Sequence, residues 1–382
     1  MISFKSYYNR SSNFELLRIM AMFMIVIFHI EYHCVKIQLT DLSSITMMDN
    51  GLFCNPLFYK KLFILQGLET LGRISNGIFL LISGYYTVEK KSLDIIKIAR
   101  KLLSQLGFAI VALSVLSFVY FIIEGSELSS FGYRGVTDFN TYAWFPGYYF
   151  LVILVAGTIL NKHLNKWNRK EYNTFLIAIF ALVSFSWTGE LLNSFMKDFR
   201  TVFTGIFLYA MGGYIKKYDP FGWIKSRGII IMAFLMYIFI YLSYYNKVQS
   251  SIKKYLFTNV LNAAKGSNTE LFLQPLLLFE DYSIVSIALA IMLFELFRRI
   301  SIPQIPIINF LGSSSLMIYL MHDNNFWFEI WKKKDWIDVL YRNPWSFCID
   351  FLKLGVEMCI VGVVTYLLYT LLVNILKGYY ET

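Results

Sequence analysis

Between Leu16 and Tyr32 the chain carries an almost unbroken run of apolar residues, and no other feature restricts its fold so tightly. A helix that is apolar on every face has no side to offer to water, so it belongs in a large core or across a bilayer. Two residues interrupt the run, Arg18 near its start and His29 near its end. They are 11 residues apart, which at ~1.5 Å per residue is roughly 16 Å along one helix and about three turns, so both lie on one face. Placing an ionisable side chain in a bilayer costs on the order of a few kcal/mol, which makes each a functional candidate by default.

Composition decides between core and bilayer. Hydrophobic residues make up 57 % of the 382, charged residues 16 %, and the mean hydropathy is +0.53, outside the range of soluble domains. At ~20 residues per span the chain has room for about ten. The expected fold is all-α: a polytopic transmembrane helix bundle forming one integral membrane domain over 1–382, with no fused soluble domain. Spans are expected at roughly 14–33, 70–87, 102–123, 143–160, 174–191, 199–215, 228–245, 276–297, 305–322 and 352–376. No small-residue cleavage site follows the first span, so it is expected to be retained rather than removed as a signal peptide.

The loops between these spans alternate in basic content. Those at 87–101, 161–173 and 216–227 carry four or more Lys or Arg, whereas 124–142 has only Arg134 and 192–198 only Lys197. The positive-inside rule then puts the basic loops and both termini in the cytoplasm. It also accounts for the net charge of +10 without a nucleic-acid partner, because the basic residues are scattered. Cys34, Cys54, Cys348 and Cys359 show no metal-ligand spacing, and no metal is expected. Cys34 and Cys54 share a loop and would pair if it faces an oxidising space; the sequence leaves this open.

In that orientation Arg18 sits at the cytoplasmic end of the first span and His29 in its outer half, with Arg73 level with His29. Ser83-Gly84-Tyr85 falls near the cytoplasmic mouth, Trp144 opens the fourth span from outside, and Tyr319 and His322 close the ninth on the outside. A histidine titrates near neutrality and can take the proton of a hydroxyl that attacks an acyl carbonyl, although His29 equally suits a hydrogen bond to a neighbouring helix. The planar fork of Arg18 suits a phosphate or a lipid headgroup. Lys97-x-x-Arg100, with Lys101, reads either as a basic flank of the third span or as a seat for a phosphorylated cytosolic molecule. Small residues in 77–85 and 312–322 permit close helix packing or leave a slot for an extended ligand. Trp144 fits an interfacial aromatic belt.

In order along the chain, these residues resemble the membrane acyltransferase-3 family. The resemblance rests on Glu15-Leu-Leu-Arg18 followed by His29, the Phe-Leu-Leu-Ile-Ser-Gly-Tyr segment at 79–85, Lys97-x-x-Arg100, Trp144-Phe145, and Ser315-Leu-Met-Ile-Tyr319-Leu-Met-His322. It implies an O-acyltransferase of the plasma membrane, of bacterial type. The acyl group, most often acetyl, passes from cytosolic acyl-CoA to a hydroxyl of an exported or lipid-linked envelope polysaccharide. No cofactor is held permanently; acyl-CoA is a co-substrate. His29 would be the catalytic base with Arg18 as its motif partner. Lys97, Arg100, Lys101, Ser83, Gly84 and Tyr85 would bind acyl-CoA, and Arg73, Trp144, Tyr319 and His322 would lie on the acceptor side. The family often has two arginines where this chain has Lys97 and Arg100; a lysine keeps the charge without the fork. Many relatives add an extracytoplasmic domain after the last helix, so a separate extracytoplasmic partner, or a homo-oligomer, is a further expectation. A transporter or flippase of glycolipid or acyl groups is the alternative, since buried Arg and His suit it as well; a glycan polymerase with a large outer loop ranks third. The identity of the acceptor and of the acyl group is left open.

Overall fold

The computed structural model describes residues 10–35, 37–38, 56–90, 92–124, 144–184, 189–259 and 284–380. Among them all regular structure is helical. The helices are α1 (Ser12–Ile30), α2 (Pro56–Thr87), α3 (Ile95–Glu124), α4 (Trp144–Val155), α5 (Arg169–Ser184), α6 (Gly189–Tyr218), α7 (Ser226–Asn259), α8 (Ile284–Arg299), α9 (Pro306–Ser313), α10 (Ser315–His322), α11 (Asn325–Trp331), α12 (Trp336–Arg342) and α13 (Pro344–Tyr380). The first continues through a π turn at Glu31–Val35, and α4 through another at Ala156–Leu160 into Asn161–Lys166.

Local chemistry explains several of these boundaries. Proline opens α2, α9 and α13, where its missing N–H has no helical partner to lose. Asn168 and Glu171 cap the start of α5 reciprocally: the Glu171 N–H donates to Asn168 Oδ1 at 3.0 Å and the Asn168 N–H to Glu171 Oε2 at 2.8 Å. Asp335 accepts from the Asp338 N–H at 2.8 Å and caps α12.

Among the described residues four helices are long and apolar enough to cross a membrane: Ser12–Val35, Ile95–Ile123, Trp144–Lys166 and Pro344–Leu376. Ser226–Leu242 is a shorter apolar helix. The other expected spans correspond to helices that are shorter or more charged; α2 contains Lys60, Lys61, Glu69 and Arg73, and α8 has only 16 residues. The expected ninth span, 305–322, is interrupted at Ser314 into two helices of 8 residues each. Three consecutive hydroxyls make that break. Ser313, Ser314 and Ser315 each donate to a backbone carbonyl three or four residues earlier, Asn309, Leu311 and Gly312, all at 2.7 Å. The stretch expected as a loop at 323–351 largely forms α11 and α12, and α6 runs through 192–198. Cys54, the 125–142 part of the loop expected at 124–142, and the first residues of the span expected at 276 lie outside the described residues.

Burial ranks the spans. In α1 56 % of the apolar window is inside the bundle, against 17 % in α3 and in α13, so α1 is the axis and the other two form its apolar outer surface. The axial helix packs on α2, α8, α9, α10 and α13, and α2 packs in turn on α6. The α2–α6 contact is backbone to backbone: a Cβ at Gly84 would overlap the Tyr209 carbonyl, and one at Gly212 the Leu81 carbonyl. On α8, the buried Glu295 carboxylate accepts from Arg298 Nε at 2.8 Å and from Arg299 Nε at 2.7 Å, so the two arginines after that span are paired with the bundle itself.

Candidate functional site

The site follows one face of α1. Arg18, Met22, Ile25 and His29 recur at four-, three- and four-residue steps, one above the other along the helix. The first three line a cavity of 270 Å³, closed by Ile98, Lys101, Leu102 and Gln105 of α3, Phe145, Pro146 and Tyr149 of α4, Phe79 and Ser83 of α2, and residues of α9 and α10 up to Tyr319.

One end of this cavity is basic. Glu15, 5 % exposed in its side chain, accepts from Arg18 Nη1 at 2.7 Å and pairs with Arg10 Nη2 at 3.0 Å. Arg10 also donates to the Ser313 hydroxyl. With Lys101 in the lining, three cations face one carboxylate, a surplus that attracts a polyanion. The carboxylate reaches this position because Gly312 lies against it; a Cβ there would overlap Glu15. Ser83 donates to the Phe79 carbonyl at 2.8 Å, and its hydroxyl lies 3.0 Å from that of Tyr149. The remainder of the lining is mainly apolar and aromatic, and it ends at Phe145 and Tyr319, whose rings are 5.7 Å apart.

Beyond Tyr319 lies a histidine pair. His29 Nδ1 is 2.9 Å from His322 Nε2, and His322 Nδ1 is 2.8 Å from the Ile318 carbonyl. Asp323 Oδ1 is 3.4 Å from His29 Nδ1, long for a hydrogen bond. The Tyr319 ring centroid is 6.3 Å from that of His29, so one aromatic layer separates the cavity from the pair. His29 is 12 % exposed in its side chain and His322 fully buried.

The residues singled out in the sequence thus divide. Arg18, Lys101, Ser83 and Tyr319 line the cavity, and His29 and His322 meet just past its end. Lys97 and Arg100 are exposed on α3 and do not line it. Gly84 lies in the α2–α6 contact. Tyr85 packs on Phe14 and Phe294, with the Lys216 ammonium 4.8 Å over its ring. The Arg73 guanidinium lies 5.7 Å from the Phe28 ring, one residue before His29. Trp144 is 40 % exposed and packs on Phe145 and Tyr148, outside the lining. Three residues not singled out join the site: Asp323, the second carboxyl-bearing residue to touch a cation-capable group here, and Arg10 and Gln105 in the cavity wall. Their only sequence signal is proximity, Asp323 to His322 and Arg10 to Glu15. Chemically the arrangement offers an anion seat, a narrow apolar passage and an imidazole able to accept a proton.

A family model described as an acyltransferase domain matches residues 11–378 of the chain. No curated protein and no solved structure matches it.

Proposed function

We propose, from the premise that this chain belongs to the acyltransferase-3 family, that it moves an acyl group, acetyl in the first instance, from cytosolic acyl-CoA to a hydroxyl of an exported or lipid-linked envelope glycan. Family membership makes the protein an acyltransferase, and its apolar helices fit a membrane setting; donor, acceptor and residue roles are our reading.

One observation carries it: a single face of α1 joins three cations, an apolar cavity and His29 in that order. Phosphates of the coenzyme would rest on Arg10, Arg18 and Lys101. A cavity of 270 Å³ suits the thin pantetheine arm better than the whole coenzyme, which leaves the nucleotide outside, beside the exposed Lys97 and Arg100. The thioester then arrives at Tyr319, and rotation of that ring would let it and the acceptor hydroxyl come within reach of His29. In the reaction the acceptor oxygen attacks the thioester carbon while His29 takes the hydroxyl proton. The tetrahedral intermediate collapses, the C–S bond breaks, and the departing thiolate recovers the proton from His29. Holding donor and acceptor together supplies several kcal/mol by positioning alone. Arg73 and Trp144, near the His29 level, are assigned to the acceptor side.

The test uses the full chain in nanodiscs with acetyl-CoA, following free thiol with and without envelope glycan. His29→Ala is expected to lower turnover by about 10²- to 10⁴-fold, the usual contribution of a general base. Absence of binding and turnover with every short acyl-CoA, acceptor included, would overturn the reading and favour a transporter.

A further inference from the structure

We infer that His322 is a positioning residue that fixes the tautomer of His29, leaving His29 Nε2 as the proton acceptor. The inference deepens the reading of His29 as a base and rests on it for its kinetic consequence, but its structural part stands on the hydrogen-bond chain alone.

The chain begins at a group that can only accept. The Ile318 carbonyl has no proton to give, so at 2.8 Å the Nδ1 of His322 must donate to it. His322 is 0 % exposed, and a cation buried there without a counter-charge costs several kcal/mol. Among the described residues the carboxyl group near the pair is that of Asp323, which approaches His29 rather than His322. His322 is therefore neutral, with one N–H and a lone pair on Nε2. That lone pair faces His29 Nδ1 at 2.9 Å, where a second lone pair would repel it, so His29 Nδ1 carries the hydrogen. A neutral imidazole has a single N–H, and His29 Nε2 is left bare.

This is the tautomer a base requires. A free imidazole prefers its proton on Nε2, which would occupy the atom that must accept. Once His29 Nε2 takes a proton, Nδ1–H still donates to His322, with Asp323 Oδ1 3.4 Å from the same nitrogen. His322 touches no reacting atom in this scheme; it acts through His29.

The inference is tested by ¹⁵N spectroscopy of histidine-labelled full chain in nanodiscs. The sequence has only 4 histidines, and His33→Asn and His163→Asn variants assign the signals. In the wild type, His29 and His322 are expected to show a protonated Nδ1 and an unprotonated Nε2. In His322→Leu, His29 should move its proton to Nε2, and kcat should fall on the order of 10²-fold with acyl-CoA affinity unchanged. In His322→Gln, the amide oxygen can accept from His29 Nδ1–H, so the tautomer and most of the activity should return. A wild-type His29 protonated on Nε2, or a His322→Leu variant that keeps both tautomer and kcat, would overturn the inference. If the leucine variant fails to fold, the wild-type spectrum and the glutamine variant decide. The spectrum needs no substrate: the expected tautomer without turnover of any acyl-CoA would sink the proposed function and leave the relay standing, whereas turnover with the wrong tautomer would do the reverse.

Discussion

Arg18 shows how a residue can be conspicuous in sequence while its working geometry is not. A guanidinium inside an apolar run demands an explanation on energy alone, but only the folded chain shows that it shares Glu15 with Arg10. If it holds a donor phosphate, Arg18→Gln should raise the KM for acyl-CoA about tenfold, the loss of roughly 1.4 kcal/mol that one charge-assisted bond supplies, while kcat changes little. The same variant should flatten the dependence of KM on salt; initial rates at two ionic strengths check both. Lys97 and Arg100 illustrate the opposite case. Their basicity was legible, but the rotation of α3 about its axis was not, because that helix is apolar on nearly all sides and gives no phase. The face that lines the cavity is Ile98, Lys101, Leu102 and Gln105, one step round from the expected pair. Asp323 was hidden for a different reason: an acidic residue just after a helix reads as ordinary surface, yet it is 4 % exposed.

Between elements, small residues sort by what lies opposite them. Gly84 and Gly212 let α2 and α6 touch through their backbones, so Gly84→Ala should force the helices apart, at about 1–3 kcal/mol for overpacking. Gly107, with nothing within 4 Å of its would-be Cβ, is the control. Thermal unfolding in detergent should show a lowered midpoint for the first and an unchanged or raised one for the second, alanine being the better helix former. Sequence left open whether Ser83-Gly84-Tyr85 formed a packing contact or a ligand slot; the answer differs residue by residue, with Ser83 at the cavity, Gly84 in the contact and Tyr85 half-buried against the core. The interruption at Ser314 was equally illegible. The segment 305–322 is apolar enough to read as one span, and serine hydroxyls are tolerated in helices until three in a row draw on the carbonyls behind them.

Over the whole molecule, helical class was readable from composition and the placement of most helices from apolar runs, because both follow from local chemistry. Of the roughly ten crossings expected, four described helices are long and apolar enough for one; α2, α6 and α8 mix apolar stretches with charge, which on α8 is paired internally by Glu295 with Arg298 and Arg299. At this scale the proposed function makes a sided prediction. In proteoliposomes, acyl-CoA supplied only on the side of the Lys97–Lys101 segment should be consumed, and the same donor on the opposite side should not.

A bilayer insulates with ~30 Å of hydrocarbon. Along the face of α1 the cavity with its three cations ends at the Tyr319 ring, and the His29 pair lies behind that ring; in the proposed function the donor enters on the first side and the acceptor on the second. Much of any transmembrane voltage would then fall across that ring, where 100 mV is worth about 2.3 kcal/mol for each charge that crosses it. Two consequences can be read electrically. Tyr319→Gly should make vesicles leak protons, which a pH-sensitive dye trapped inside would report. In the intact protein the rate of acyl transfer should change with an imposed potential, because the proton taken up by His29 lies within the steepest part of the field.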